Sequence, residues 1–179
     1  MTFILMAFLF QPGVTAKIIA LVVFLLACIT DFLDGWLART RNEITDFGKI
    51  MDPVADKVLV LGIFLSFVQL QLVPAWMVII IIIRELLVTG FRLVVVRRGA
   101  VLAAESAGKH KTVSQMATIF FIMLFMILRE SAVRFSFWSV EFQEGFQALV
   151  LVLMGIAVTL TLYSGLSFLW QNRKLVRSL

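Results

Sequence analysis

The sequence predicts an all-α, polytopic membrane protein made of one domain, 1–179. Three observations carry that reading. First, 61% of the 179 residues are hydrophobic and 15% are charged, with a mean hydropathy of +1.04. Globular domains average roughly 45–50% apolar residues, and one core of this size cannot hide the excess. Second, the apolar runs are long and continuous, whereas a membrane strand alternates. Third, Lys and Arg gather at alternate connections between the runs. Cys28 is the single cysteine. It excludes an internal disulfide and reads as a small core hydrophobe. The net charge of +5 belongs to membrane topology, and no nucleic-acid partner is expected.

Residues 2–10 are apolar but too few for a hydrocarbon layer that takes about 20 residues to cross. They read as the stub of a first helix, truncated at its start or completed by a partner. No basic n-region or small-residue cleavage site precedes them, so a signal peptide is not expected. Gln11-Pro12-Gly13 is a turn. The first full span covers 16–38, and a polar connection, 40–45, follows. Thr45 is placed to cap a second span over 46–70. Pro53 falls in the second turn of that helix, removes a backbone hydrogen bond and predicts a kink. Val73-Pro74 marks the next turn. A third span, 75–98, carries Arg84, Glu85 and Arg92. Residues 99–108 read as a loop or short helix. A fourth span runs from Lys109 to Leu128. The mixed charged and aromatic stretch 129–144 suits an interfacial segment. The last span, 145–170, closes on Tyr163 and Trp170.

The charges orient this arrangement. With the end of the first full span inside, the inside connections hold Arg39, Arg41, Arg97, Arg98, Lys109, Lys111, Arg173, Lys174 and Arg177. The outside ones hold Lys17, Arg129 and Arg134. Nine against three is a positive-inside bias. It predicts that the stretch 31–56, the 97–111 region and the C-terminus share the cytoplasmic face.

That stretch carries the chemistry. It reads Asp31-x2-Asp34-Gly35-x2-Ala38-Arg39, then eight residues, then Gly48-x3-Asp52-x3-Asp56. Carboxylates three or four apart on a helix share a face. Four of them beside apolar sequence are costly unless a cation neutralises them, and hard divalent cations want carboxylate oxygens. Two such ions can clamp a phosphoryl group during in-line displacement. Three carboxylates can hold the pair if one bridges, leaving the fourth as general base. Gly35 and Gly48 admit a bulky group close to the backbone, and Arg39 offers a fork of donors to phosphate oxygens. The alternatives are structural ion pairs with Arg39, Lys49 or Lys57, or an ion pathway.

The eight fixed positions resemble the signature of the CDP-alcohol phosphotransferases. The resemblance implies a six-helix membrane enzyme, a homodimer, that uses Mg2+ or Mn2+ to let an alcohol displace CMP from a CDP-linked donor. It implies Asp31, Asp34, Asp52 and Asp56 as ligands of two metal ions, with Asp56 also the catalytic base. It implies Asp31, Asp34, Gly35, Ala38, Arg39, Gly48 and Asp52 for the donor nucleotide and diphosphate. A chain starting inside the first helix departs from the family, which begins with a juxtamembrane segment and a complete first helix.

A second cluster suits an acceptor. Arg84 and Arg92 are eight apart, about 80° around a helix, and lie deep in apolar sequence. Lys109, His110 and Lys111 open the next span from the same side, and Glu85 is set to pair with a neighbouring base. The stretches Arg84-Glu-Leu-Leu-Val-Thr-Gly-Phe-Arg92 and Ala107-Gly-Lys-His-Lys-Thr112 resemble the branch of the family that makes phosphatidylglycerophosphate in bacterial inner membranes. That branch implies CDP-diacylglycerol and sn-glycerol 3-phosphate as substrates among the membrane lipids. It implies Arg84, Thr89, Arg92, Lys109 and Lys111 at the acceptor phosphate. Other branches, which use serine, inositol phosphate or phosphatidylglycerol, are the nearest rivals. A cation transporter would spread its acids along a path and repeat internally, and neither feature is visible.

Overall fold

The structure, a computed structural model, describes residues 2–41, 46–97, 107–135 and 139–173. Among these there are six helices and no strand: α1 (Thr2–Phe10), α2 (Val14–Arg41), α3 (Asp46–Gln69), α4 (Ala75–Arg97), α5 (Ala107–Phe135) and α6 (Val140–Gln171). α1 covers the nine apolar residues 2–10. α2 outruns its expected span at both ends. α3 is helical without interruption through Pro53. Thr45, the expected cap of α3, and residues 98–106 lie outside the described residues.

The helix of the fourth span outruns its expected end at Leu128, while residues 136–138 of the stretch 129–144 lie outside the described residues. Residues 129–135 continue α5, and 140–144 begin α6. Arg129, Glu130 and Arg134 end the apolar run but not the helix, since neither Gly nor Pro occurs between 112 and 144 to break it. The break falls at Ser139, whose extended backbone and hydroxyl cap α6 by accepting from the Phe142 N–H at 3.2 Å.

Two tight connections close the bundle at the end remote from the aspartates. At the first, Gly13 takes φ +105°, open to glycine at no steric cost. Lys17, at the start of α2, is buried and donates from Nζ to the carbonyls of Leu9 at 2.5 Å and Gln11 at 2.7 Å. It thereby satisfies backbone acceptors that α1 leaves open at its C-terminus. At the second, Gln71 sits at φ 57°. The Gln71 N–H reaches the Val68 carbonyl and the Leu72 N–H reaches the Phe67 carbonyl, both at 2.9 Å. This is a Schellman cap with glutamine where glycine is usual.

The helices form a ring. α1 packs on α2 and α3, α2 on α5, α5 on α6, α6 on α4 and α4 on α3, while α3 and α5 also touch across the middle. α5 and α6 run antiparallel. Gln115 Nε2 donates to Thr161 Oγ1 at 3.1 Å, Thr118 Oγ1 to the Leu153 carbonyl at 3.4 Å, and Phe125 stacks on Phe146 with centroids 3.6 Å apart. The apolar core fills one half of the ring, around Leu5, Phe24, Phe64, Phe67, Ile81, Ile122 and Met154. Most buried polar side chains gather in the other half, among them Arg84, Glu85, Lys111, Gln115, Thr161 and Ser164.

The outward faces are apolar too. Ile29 of α2, Ile83 and Leu87 of α4, and Val152 and Leu166 of α6 are each more than half exposed. Two described segments, His110–Ser131 and Glu141–Gln171, are apolar and long enough to cross a bilayer.

Gln71→Gly removes the left-handed strain and is expected to raise unfolding stability by up to about 1 kcal/mol. Lys17→Met strands the buried Leu9 carbonyl and the half-buried Gln11 carbonyl and is expected to lower it by about 1–3 kcal/mol. Thermal unfolding in detergent reads both; a stabilised Lys17→Met would remove the capping role.

Candidate active site

α4 brings a charged pair into an apolar run. Ile79 to Ile83 precede Arg84 and Glu85, and both charged residues are more than 90% buried. In such surroundings a charge needs partners. Glu85 has three. Lys57 of α3 sits 3.1 Å from Oε2, Arg84 places Nη1 3.3 Å from Oε1, and Lys111 of α5 donates to Oε1. Lys57 also donates to the Thr89 hydroxyl, one turn along α4. Three cations thus meet one carboxylate among the described side chains, and the cluster keeps a net charge of +2.

α6 completes the cluster. Arg84 Nη2 donates to Ser164 Oγ at 2.6 Å. The next residue of α6 is Gly165. A Cβ there would lie 3.0 Å from Arg84 Cγ and 3.2 Å from its Nε, so the missing side chain is the slot through which the arginine stem passes. Toward the C-terminal end of α4, Arg92 is exposed. Its guanidinium lies 5.7 Å from the Phe168 ring centroid, a cation–π distance. Phe91 meets the same ring edge-on at 5.7 Å. The Asn172 Nδ2 donates to the Phe168 carbonyl at 2.9 Å and fixes the end of α6.

Of the expected acceptor residues, Arg84, Thr89 and Lys111 come together around Glu85, and Arg92 stands two turns further along α4. Lys109 falls in the first turn of α5; its side chain lies outside those described. Asp31, Asp34, Gly35, Ala38 and Arg39 occupy the last part of α2, and Gly48, Asp52 and Asp56 the first half of α3. Their side chains also lie outside those described. The backbone nevertheless keeps both aspartate pairs in helical register. It makes Lys57 the immediate successor of Asp56 on α3, so the helix of the second carboxylate pair reaches the cationic cluster directly.

Lys57 is the residue that sequence reasoning undervalued. It was weighed only as a counter-ion for the aspartates. The available signal was Glu85, the one acid inside the apolar run of α4.

Fold and site together describe a helical bundle whose interior gathers three cations on Glu85, beside two carboxylate-bearing helices. The chain belongs to the CDP-alcohol phosphatidyltransferase family, whose family model matches residues 1–163. It is 46% identical over 109 residues to the CDP-diacylglycerol–glycerol-3-phosphate 3-phosphatidyltransferase of Bacillus subtilis, covering 61% of this chain and 56% of that one. It is 43% identical over 104 residues to a probable phosphatidylglycerophosphate synthase of Mycobacterium tuberculosis, covering 58% and 49%. A Treponema pallidum protein with the same name as the Bacillus one is 30% identical over 157 residues, covering 88% and 71%. The chain spans about half the length of the first two of these relatives.

Gly165→Val drives a side chain into the Arg84 stem, which Glu85 and Ser164 hold at its far end. It is expected to cost about 1–3 kcal/mol of stability. Thermal unfolding checks this, and a neutral result would mean that α6 can move away from Arg84 freely.

Proposed function

We propose that this chain is a phosphatidyltransferase. It makes phosphatidylglycerophosphate and CMP from CDP-diacylglycerol and sn-glycerol 3-phosphate, in a bacterial inner membrane that it crosses several times, as a homodimer. The observation that carries the reading is the cationic cluster of Lys57, Arg84 and Lys111 built onto the helix of Asp52 and Asp56. A phosphorylated alcohol requires such positive charge next to a phosphoryl-transfer centre. The names of the Bacillus and Treponema relatives carry the same two substrates. The apolar outward faces and the nine-to-three distribution of basic residues support a multi-pass arrangement with the site facing the cytoplasm.

The donor set fits divalent cations. Four carboxylates lie in two helical registers on α2 and α3, and oxygen-only ligands are what Mg2+ and Mn2+ prefer. Asp31, Asp34, Asp52 and Asp56 are the residues that would hold two such ions. When bound, the ions supply charge neutralisation at the diphosphate and the departing CMP. Arg39 offers donors to the diphosphate, while Gly35, Ala38 and Gly48 leave room for the nucleotide. Thr89, Arg92, Lys109 and Lys111 receive the acceptor phosphate, with Arg84 behind them. Asp56 takes the proton of the glycerol 1-hydroxyl. That oxygen bonds to the β-phosphorus, the bond from this phosphorus to the bridging oxygen breaks, and CMP leaves with the bridging oxygen. The remaining catalysis is positioning and charge stabilisation.

Purified protein given CDP-diacylglycerol, Mg2+ and a panel of alcohols tests the reading. CMP is expected with glycerol phosphate; release with serine or inositol phosphate instead would reassign the branch. Asp56→Asn is expected to lower kcat by about 10²–10⁴-fold while the donor still binds. Full turnover in that variant would remove the base. Arg92→Ala is expected to raise the KM for glycerol phosphate about tenfold, the scale of one lost charged hydrogen bond. An effect confined to the lipid donor would sink the acceptor site.

A further inference from the structure

We propose that Glu85 is a positioning residue that ties the Asp56-bearing helix to the acceptor site, with Lys57 as the linking arm. This rests on the reading above and adds two residues to it that touch the reaction only through others. The geometry is specific. The two oxygens of one carboxylate divide their partners. Oε2 takes Lys57 of α3 at 3.1 Å, and Oε1 takes Lys111 of α5 together with Arg84 of α4. Lys57 is held a second time by Thr89. The ammonium that follows Asp56 in the chain is thus fixed to the same carboxylate as Lys111, the ammonium assigned above to the acceptor phosphate.

Two roles for a buried acid among cations make opposite forecasts. An acid that only tempers positive potential would, once neutralised, leave a more positive site, and a phosphate dianion would bind it more tightly. An acid that positions would, once neutralised, release two mutually repelling ammonium groups, and the phosphate would lose its aligned donors. The three helices that share Glu85 favour the second role, since no other described ion pair joins α3 to α5. Conformational pre-organisation of this kind affects the substrate whose donors are displaced and spares the other.

The test uses the full-length protein in lipid nanodiscs. In Glu85→Gln, the KM for glycerol phosphate is expected to rise about tenfold or more, as for loss of a charge-assisted hydrogen bond. The KM for CDP-diacylglycerol should stay within about twofold of wild type, and kcat should fall less than the acceptor KM rises. A lowered acceptor KM would overturn the proposal in favour of simple charge balance. Equal loss in both substrates would reduce Glu85 to a structural residue. Lys57→Gln removes one arm only and carries the test if Glu85→Gln does not fold. It should raise the acceptor KM too, and the double variant should be no worse than Glu85→Gln alone.

A second readout needs no turnover, so it stands even if the substrates are other than proposed. Amine-reactive labelling read by mass spectrometry should show Lys57 and Lys111 protected in wild type. In Glu85→Gln both should label at least about tenfold faster, and Lys17, capped elsewhere, should not change. Unchanged labelling at Lys57 and Lys111 would overturn the proposal whatever the activity of the wild type.

Discussion

Buried like charges must be neutralised or displaced, and in this bundle a single carboxylate does most of that work. Lys57, Arg84 and Lys111 come from three helices and converge on Glu85. For its buried members, Arg84, Glu85 and Lys111, removing a partner characteristically costs about 3–5 kcal/mol, because it leaves a charge uncompensated away from water. The register of α3, α4 and α5 is therefore set where their apolar faces alone would tolerate sliding. α6 joins through Ser164 and through the slot at Gly165.

The two halves of the ring divide their tasks. The half around Phe24, Phe64, Phe67 and Met154 is packed with hydrocarbon and closed by the turns at Gly13 and Gln71. Its contribution is burial, which is insensitive to the details of charge. The other half contains hydrogen-bonded pairs such as Gln115 with Thr161 and Arg84 with Ser164. Polar pairs inside a bundle discriminate between arrangements more than they add stability. Stability in one half and geometry in the other is the separation a site needs if its residues are to be chosen for chemistry.

Much of this was legible in the sequence, for physical reasons that differ from element to element. Hydrophobic run length identified α2, α3, α4 and α6, and the short α1, because a run of apolar residues has one cheap conformation. The end of α5 lies beyond Leu128 because the charges there mark where an apolar run stops, while helix propensity continues through Arg129, Glu130 and Arg134. Arg84 and Arg92 stood out because a deep charge in an apolar run needs a reason, while Thr89 joined them only through the family resemblance. Lys57 was not assigned to that group. Its partner lies 28 residues away on another helix, and spacing arguments see only neighbours on one helix. The partnership of Arg84 with Ser164, 80 residues apart, is invisible for the same cause. The aspartate pattern was the plainest feature of the chain and needed no tertiary knowledge to read.

The length of α6 has a mechanical consequence. Its 32 residues measure about 48 Å at 1.5 Å per residue, against a hydrocarbon layer of about 30 Å. In the proposed membrane it must lean or stand proud of the lipid, and near its C-terminal end Arg173 rests 5.1 Å from the Trp170 ring centroid, an aromatic–basic pair suited to the headgroup level. Ser164 and Phe168, the residues that hold Arg84 and Arg92, lie within the last turns of this helix. A change in bilayer thickness would therefore act on α6 as a lever whose short arm reaches the arginines. The composition of the surrounding lipid would then bear on the posture of the cationic cluster itself.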